Sequence, residues 1–427
     1  MNALAAKRRV TSEYIDDASP ASSLGNQEKP RRRRRVVRAT ASTLWLGLAA
    51  LYLWCPVHRF PSARAFHGAR WYNPYAAVTL ATRWQKANLH AHARAWSGLT
   101  NGRGTADDVL RRYRAMGYDV APVSDYQAIT RARGADPTSL TAYEHGFNVR
   151  KVHLLAVGAR RVDWLDYPLL QGRDEVQHRI DRLQASSEMV IIAHPWLRDA
   201  LSDVDLRALT GYTAIEIGSS FGRSEHAWNV ALDAGRAVWG VANDDLHDVD
   251  GPNESGSFWT MIAAPSSDAR SLETALSAGQ AYAVFGRGGR AGFALSRLSI
   301  VGDTLSVSFQ GSAANLELVG PGGRVLATVA NAREARWTIP CDAGWVRVVA
   351  RTPTTRISLE PVLRSENGSL PRVNATLAPT PTLVRRTMAL LLLLIAILPW
   401  IGRDVLRFSS FSRADAMRSR PALRDAA

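Results

Sequence analysis

Between residues 84 and 285, short apolar runs alternate with helical patterns, and this alternation limits the chain to few architectures. A run of roughly 4–8 apolar residues is consistent with a buried strand, whereas apolar residues three or four positions apart indicate an amphipathic helix. Strands alternating with helices predict an α/β fold in which helical crossovers join parallel strands. The predicted strands are 118–123, 153–158, 189–193, 213–217 and 237–242, and the predicted helices are 105–116, 173–185 and 225–234.

Local signals bound the first of these helices. Thr105 suits the N-cap, because its hydroxyl can accept a hydrogen bond from a backbone N–H of the first turn. Asp107 and Asp108 follow, where negative charge interacts favourably with the helix dipole. Gly117 comes at the end, as is typical of a helix C-terminus.

Ionisable residues come directly after several of the predicted strands. Asp125 follows the first strand, His194 follows 189–193, and the strand 237–242 is followed by Asp244, Asp245 and His247. In parallel α/β barrels the C-terminal ends of the strands carry the chemistry. Several separate strands that each end in His or Asp therefore predict side chains that converge on one site.

The residue types at these positions suit a metal site. His90 and His92 alternate on an extended segment, which puts both imidazoles on one face and within reach of one cation. Asp245 and His247 repeat this spacing. The chain has two cysteines, too few for a disulfide framework or a cysteine zinc cluster, so any metal must be held by histidines and carboxylates.

Each candidate ligand also has a purely structural interpretation. The pair His90 and His92 fits a protein surface, Glu144 fits a solvated loop, and His153 fits a satisfied core histidine. His194 is less easily explained in this way, since it closes an apolar strand where a polar residue needs a reason to be buried. The order of the candidates along the chain is therefore stronger evidence for a metal site than any single candidate.

In that order, the candidates resemble the motif set of the polymerase-and-histidinol-phosphatase (PHP) family of metal-dependent phosphoesterases. The resemblance covers about residues 84–290, including Tyr282–Gly286, which is similar to the closing strand of that family. The matching segments are Asn88-Leu-His-Ala-His92, Gly117-Tyr-Asp119 with Val123-Ser-Asp125, Glu144 with His153-Leu-Leu155, Ile192-Ala-His-Pro195 and Gly240-Val-Ala-Asn-Asp-Asp-Leu-His247.

The resemblance implies a distorted seven-stranded β/α barrel over 84–290 and about two divalent ions per chain. It implies that one ion is held by four residues, His90, His92, Glu144 and Asp245. Glu144 would bridge to a second ion held by His153 and His194, and His247 would belong to a third site or lie beside the other two. Zinc, manganese and iron all accept such nitrogen and oxygen ligands.

Two departures from the family pattern affect the third ion. The family often has Thr-Asp-His where this chain has Ser124-Asp125-Tyr126, and a further histidine is expected near Gly98 but absent. We therefore expect a two-metal site that activates water, in which Asp125 and His247 are the residues most free to move a proton. Tyr126 could then donate a hydrogen bond to a substrate oxygen.

These residues predict a hydrolase that cleaves a phosphoester in a small molecule or glycoconjugate. No serine or cysteine with a paired base occurs in these motifs, so a covalent intermediate is not expected. A nuclease of the same superfamily is one alternative, to be recognised by a basic groove with interleaved aromatics. A non-catalytic binding module on a degenerate site is the other.

The net charge of +15 invites the hypothesis of a nucleic-acid partner, but the charge is unevenly placed. Five consecutive arginines occupy 31–35, and further arginines follow residue 402. Basic residues that flank apolar segments indicate membrane topology before nucleic-acid binding. A membrane is therefore the predicted partner, nucleic acid is not, and the oligomeric state stays open.

Two apolar segments, 39–57 and 387–402, predict transmembrane helices. The first matches a hydrocarbon core of about 30 Å, and flanking arginines could extend the shorter second one. A signal peptide and a buried core helix are the respective alternatives. Because positive flanks stay in the cytoplasm, the basic tails 1–38 and 403–427 are predicted to be cytoplasmic and the domains between them extracytoplasmic.

The sequence changes character after residue 290. Period-two alternation of apolar and polar residues over 291–352, interrupted by turns such as Pro321-Gly-Gly323, predicts a small antiparallel β-sandwich. It contains no cluster of candidate ligands, so a packing or recognition module is expected. Residues 353–384 are rich in proline and threonine and predict a linker back to the membrane.

Overall fold

A computed structural model describes residues 28–100 and 102–418, with side chains for 37–100 and 102–398. The predicted tail residues 1–27 and 419–427 lie outside the described part of the chain. The chain divides into two compact units. One is formed by helical residues up to Leu53 and from Arg386 onward, and the other is a mixed α/β unit, Trp54–Arg385.

Seven α-helices are described, and Thr105 caps the second as predicted. Its hydroxyl accepts a hydrogen bond from the backbone of Asp108, and the Asp108 side chain accepts from the backbone N–H of Thr105. The helices are α1 (Glu28–Trp54), α2 (Ala106–Ala115), α3 (Arg173–Gln184), α4 (Asp203–Ala208), α5 (Glu225–Asp233), α6 (Ala269–Ser277) and α7 (Pro379–Arg418).

Among the described residues, one helical stretch is long and apolar enough to cross a membrane. It is Pro379–Leu398 in α7, which overlaps the second predicted span. The first predicted span, 39–57, coincides with the C-terminal part of α1, which does not reach the same apolar content over the residues described. Arg38 and several Ser, Thr and Trp residues dilute its apolar content, so the first span stays a prediction.

The strands of the mixed unit form four sheets. They are β1 (His58–Arg59), β2 (Arg70–Tyr72), β3 (Trp84–Ala87), β4 (Ala142–His145), β5 (Leu154–Val157), β6 (Met189–Ile192), β7 (Ala214–Ser219), β8 (Gly222–Arg223), β9 (Trp239–Ala242), β10 (Phe258–Ala263), β11 (Ala281–Phe285), β12 (Phe293–Val301), β13 (Thr304–Gly311), β14 (Ala314–Val319), β15 (Val325–Ala332), β16 (Glu334–Thr338), β17 (Trp345–Arg351), β18 (Arg356–Leu359), β19 (Val362–Ser365) and β20 (Thr376–Leu377).

The six-stranded sheet carries most of the predicted site. Its order is β4-β5-β6-β7-β8, with β9 beside β7. Only β6, β7 and β9 pair in parallel; β4, β5 and β6 pair antiparallel. The predicted strand at 118–123 is not a regular strand in the described chain, and the expected parallel order therefore holds for part of the sheet alone.

The sequence led us to expect a closed seven-stranded barrel. Within the described residues, hydrogen-bonded strand pairs do not close such a barrel. Isolated bridges such as Ala87 to Val120, Ala91 to Leu246 and Tyr126 to Glu144 take the place of regular strand pairs. The physical reason is that side chains occupy the backbone donors there. Asn243 accepts from Leu89 N, and other polar side chains accept from the N–H groups of residues 91 and 93.

The nine-stranded sheet crosses the predicted domain boundary at residue 290. Its order is β15-β14-β17-β18-β11-β10-β3, with β19 and β2 continuing from β17, and every pair is antiparallel. The remaining sandwich strands form a three-stranded sheet, β12-β13-β16. The antiparallel strands expected over 291–352 are therefore present, but half of them extend a sheet that begins at β3.

The prediction that residues 353–384 form a linker was wrong in part, because this segment contributes β18 and β19 to the nine-stranded sheet. Ile357 and Leu359 are fully buried, as are Val362 and Leu363. Their spacing is that of two short strands, which the proline and threonine content obscured. Strand β18 joins β17 to β11 and thus links the two predicted domains.

Both ends of the mixed unit lie together. Strand β1 pairs with β20, and Val57 donates a backbone hydrogen bond of 3.0 Å to Thr382 Oγ1. Asp174, in the first turn of α3, accepts from the backbone N of His58 at 2.8 Å and from Arg385 at 3.1 Å. The segments that connect to α1 and continue α7 therefore leave the unit at one place.

Candidate metal centre

The structure brings the predicted ligands from five separate segments into one buried cluster. The side chains of His90, His92 and Glu144 are at most 1% exposed, and those of His194 and Asp245 are 2–3% exposed. His90 and His92 lie in the irregular segment that follows β3, Glu144 lies in β4, and the other two follow β6 and β9. The strand-end positions expected from the sequence therefore meet.

Two sets of three residues could each hold a metal ion, because the three ligand atoms of each set lie within 4.8 Å of one another. One set is His90, His92 and Asp245, and the other is His90, Glu144 and His194. The two sets share His90 and are both completely buried. Nitrogen and oxygen atoms at this spacing form the kind of donor set that zinc, manganese and iron accept.

Glu144 lies at the centre of the imidazoles. Its Oε1 is 2.6 Å from His153 Nδ1 and 3.2 Å from His194 Nε2, and its Oε2 is 3.3 Å from His92 Nε2. Burial raises the pKa of Glu144, but the neighbouring histidines, His153 and His90 foremost, outweigh burial and hold its pKa well below the usual value. Glu144 therefore stays an anion with imidazoles on both sides, as the predicted bridging position requires.

Asp245 faces the same imidazoles from the opposite side. Its Oδ1 lies 3.2 Å from His90 Nε2 and 3.3 Å from His92 Nε2. Asp245 and His194 both have positive φ, at 53° and 25°, which L-residues seldom adopt. Such backbone conformations cost about 1–3 kcal/mol each and occur where the surroundings enforce them, often in functional sites.

Several buried ligand atoms in the cluster make no hydrogen bond to any residue in the described ranges. They include Glu144 Oε2, Asp245 Oδ1, His153 Nε2 and His247 Nε2. Buried polar atoms in folded proteins are nearly always paired, so a group of them facing one another calls for a cation. The residues present therefore fit the divalent ions that the sequence led us to expect.

Glu216 completes the site and was not predicted. Its Oε1 lies 3.1 Å from His90 Nδ1 and 3.0 Å from Asn243 Nδ2, and its Oε2 accepts from His194 N at 3.1 Å. A carboxylate on Nδ1 keeps the proton there and leaves Nε2 as a ligand atom. A signal was available, because Glu216 is a charged residue inside the apolar strand β7, flanked by Ile215 and Ile217.

Asp125, predicted to shuttle a proton, is fully engaged elsewhere. Its Oδ1 accepts from Ala93 N at 2.7 Å, and its Oδ2 accepts from the Thr130 hydroxyl at 2.6 Å. Burial raises the pKa of Asp125, and these two hydrogen bonds oppose that rise. The geometry favours a role in holding the segment after His92 over the predicted proton transfer.

Asp244, which follows β9 beside Asp245, also has a structural role. Its two oxygens accept from the Tyr113 hydroxyl and from the backbone N–H groups of residues 256–258. Burial raises the pKa of Asp244 to about 6, against the lowering effect of these hydrogen bonds. Asp244 thus anchors the turn that leads into β10 rather than pointing at the imidazoles.

Tyr126 and His247 lie at the opening of the cluster. The Tyr126 ring stacks on His92 with ring centroids 4.7 Å apart and meets His153 edge-on at 5.4 Å. Burial and the nearby Glu144 raise the pKa of Tyr126, so its hydroxyl keeps its proton. His247 Nδ1 lies 2.9 Å from the backbone oxygen of Asp245, and its Nε2 is buried without a hydrogen-bond partner among the residues described.

Comparisons with known proteins add little. No protein-family profile and no curated protein matches this chain. A solved structure with 13% sequence identity and a TM-score of 0.37 covers 75% of this chain and 99% of its own. It is the crystal structure of a two-domain protein from Bacteroides vulgatus ATCC 8482, described as containing a predicted PHP-like metal-dependent phosphoesterase. A likeness this distant supports no inference, so function must be inferred from the side chains of this chain.

Proposed function

We propose that this chain is a membrane-anchored, metal-dependent phosphoesterase. The observation that carries the proposal is the buried cluster of imidazoles and carboxylates in which several ligand atoms, among them Glu144 Oε2 and Asp245 Oδ1, have no hydrogen-bond partner among the residues described. Structural histidines and carboxylates in a core would be paired. The proposal therefore needs ions, about two per chain. His90, His92 and Asp245 would hold one of them. Because His90 has a single nitrogen left for a metal, Glu144, His153 and His194 would hold the other.

The bound ions would supply charge stabilisation and an acidified water. The chain supplies the rest. Glu216 accepts a hydrogen bond from His90 Nδ1, and Glu144 lies within 3.3 Å of nitrogens of His92, His153 and His194. His247 Nε2 has no partner in the described part of the chain and is placed to take or give a proton at the opening.

Two further side chains shape the opening. Tyr126 can donate a hydrogen bond from its protonated hydroxyl to a substrate oxygen. Phe221, at the tip of the β7–β8 hairpin, has ring centroids 6.3 Å from His194 and 5.6 Å from His247, which limits the access of water on that side. A phosphoester oxygen between these groups would meet a donor, a base and an apolar wall.

The membrane part of the proposal rests on Pro379–Leu398 and on the arginines that flank both apolar segments. We propose that both ends of the chain are cytoplasmic and that residues 58–384 are extracytoplasmic. Reporter fusions at residue 300 and at the C-terminus test this. A C-terminal reporter that is exported would remove one of the two spans.

The experiment for the activity uses the purified full chain in detergent. Elemental analysis after metal supplementation should give about two divalent ions per chain. Phosphomonoester and phosphodiester substrates with added manganese should then be hydrolysed, and chelation or Glu144→Gln should abolish this. Activity that survives both changes would refute the proposed chemistry.

The two alternatives predict different results in the same experiment. Full metal binding without cleavage of any phosphoester would favour the binding module. Cleavage confined to polynucleotides would favour the nuclease.

A further inference from the structure

The place where the mixed unit connects to its apolar helices is held against the N-terminal end of α3. Asp174 binds both His58 and Arg385, and the Tyr167 hydroxyl contacts Cys55. Since Pro379–Leu398 is the stretch that could cross a membrane, a membrane containing it would lie beside this end of the unit. Residues 167–174 therefore lie beside the segments that lead to that stretch.

Exposed apolar side chains begin at this place and continue toward the metal centre. We call them the apolar strip, and each is between 39% and 73% exposed. Exposed apolar residues that occur singly are ordinary, whereas a contiguous series marks an interaction surface. The residues of the strip are Leu170, Leu169, Val149, Phe147, Trp164 and Trp96.

Contacts between loops bring together the segments that carry the apolar strip. Leu169 and Leu170 follow Tyr167 directly in the sequence. Val149 N donates to Pro168 O at 3.0 Å, and Phe147 N donates to Asp166 Oδ2 at 2.7 Å. The loop that carries Phe147 and Val149 is therefore fastened to the loop that carries the two leucines.

The other end of the apolar strip reaches the metal centre. The rings of Trp164 and Trp96 meet edge-on with centroids 5.7 Å apart. Trp96 Nε1 donates to Tyr126 O at 2.7 Å, and the Tyr126 ring stacks on His92. An apolar chain lying along the strip would thus end beside the residues that face the opening.

The charges beside the strip suit an anionic surface. Arg94 and Arg161 are exposed, and Arg150 and Lys151 are partly so, whereas the nearby Asp163 is buried and paired with an arginine. Basic side chains attract anionic headgroups, and tryptophan is enriched at the boundary between lipid and water. Both features are expected of a surface that rests on a membrane, and a protein partner would not require either.

We propose that the apolar strip lies against the membrane and that the metal centre acts on a phosphoester carried by a membrane lipid. The lipid's apolar part follows the strip while its phosphoester reaches the cluster beside Tyr126 and His247. The second part of this inference rests on the proposed phosphoesterase function, whereas the docking of the strip does not.

Docking is tested by fluorescence in the full chain with Cys341→Ser, reconstituted into phosphatidylcholine vesicles. The remaining cysteine, Cys55, is buried. A probe on Leu170→Cys or Val149→Cys should be quenched by lipid-borne nitroxide about fivefold more than one on Val301→Cys, which is 79% exposed in another sheet. Equal quenching at all three positions overturns the proposal. Shielding from aqueous iodide without lipid quenching also overturns it, in favour of a protein interface.

The substrate class is tested with phosphatidic acid in phosphatidylcholine vesicles and with soluble p-nitrophenyl phosphate. Replacing Leu170 and Val149 together by glutamate should lower kcat/KM on the lipid about tenfold and leave the soluble substrate nearly unaffected. Val301→Glu is the matched control and should change neither. Equal losses on both substrates overturn the lipid assignment. If the metal-loaded chain cleaves neither, the proposed function fails, while the quenching result still decides the docking.

Discussion

Glu216 offers the sharpest test of how the site is organised, because it touches the predicted ligands without being one. Its carboxylate accepts from His90 Nδ1, from Asn243 Nδ2 and from the backbone N–H of His194. Glu216→Gln keeps the shape and replaces one acceptor oxygen by an NH₂ group. Whichever way the amide turns, at least one of these donors then faces another donor.

The structure sets the size of the effect. A hydrogen bond to a charged group contributes about 1.5–3 kcal/mol. Since every 1.4 kcal/mol is about a factor of ten, losing one such bond should weaken metal binding by ~10–100-fold. That range is also the typical loss when a residue that orients a metal-bound histidine is removed. Glu216→Ala removes all three acceptor contacts and should lie at the upper end.

The assay is a competition between the purified full chain and a chelator for manganese or zinc. Glu360→Gln is a matched control, because Glu360 is fully buried and accepts from Gly240 N outside the cluster. Burial raises the pKa of Glu360 well above its usual value, which favours the neutral carboxyl that glutamine resembles. Metal affinity should be unchanged in the control.

Melting temperatures of both variants separate a local effect from unfolding. If Glu216→Gln binds metal within about twofold of the unaltered chain while Glu144→Gln loses it, Glu216 does not position His90 and the reasoning fails.

His153→Ala should lower the bound metal from about two ions per chain to about one; an unchanged ratio by elemental analysis would contradict a second ion. Asp125→Asn should lower Tm by about 2–4 °C with little change in kcat, because the side chain holds Thr130 and a backbone N–H. A large loss of kcat at unchanged Tm would restore its predicted role in proton transfer. Burial lowers the pKa of His58, but the hydrogen bonds that its ring donates to two aspartates, Asp174 first, outweigh burial and raise the pKa to about 9 from 6.5. The resulting stabilisation is complete below pH 6.5 and lost as the pH rises through about 9, so the free energy of unfolding should fall across that interval and His58→Asn should flatten the fall.

The site residues could be predicted where a polar residue interrupts or directly follows an apolar strand pattern. His194 and Asp245 each follow an apolar run. We expected the side chains at such strand ends to lie close together, and in the structure each lies beside His90. Glu216 escaped because it lies inside its strand, although its apolar neighbours gave the same signal. The role of Asp125 in proton transfer stays a prediction, because sequence order places it beside the site without showing that its oxygens accept from a backbone N–H and a hydroxyl.

The sheets were harder to predict than the site. Periodicity identified β5, β6, β7 and β9, but it cannot show which strands pair. The segment 118–123 was expected to be a regular barrel strand. Instead, the side chains of Ser124 and Asp125, just after it, accept from the backbone N–H groups of Ala91 and Ala93. Strands β18 and β19 are short, and their neighbouring prolines and threonines suggested a linker. Strand pairing, and hydrogen bonds from backbone N–H groups to side chains, depend on residues far apart in the sequence. A local sequence pattern therefore does not reveal them.

The position of β18 also determines the order in which the protein can fold. β11 pairs with β10 on one side and with β18 on the other, so its second edge stays open until residues 356–359 have been synthesised. Distant pairings form slowly because the closure of a long loop must come first. An open apolar edge meanwhile invites addition of another chain. A nascent chain interrupted before residue 356 should therefore aggregate, although every predicted metal ligand precedes residue 250.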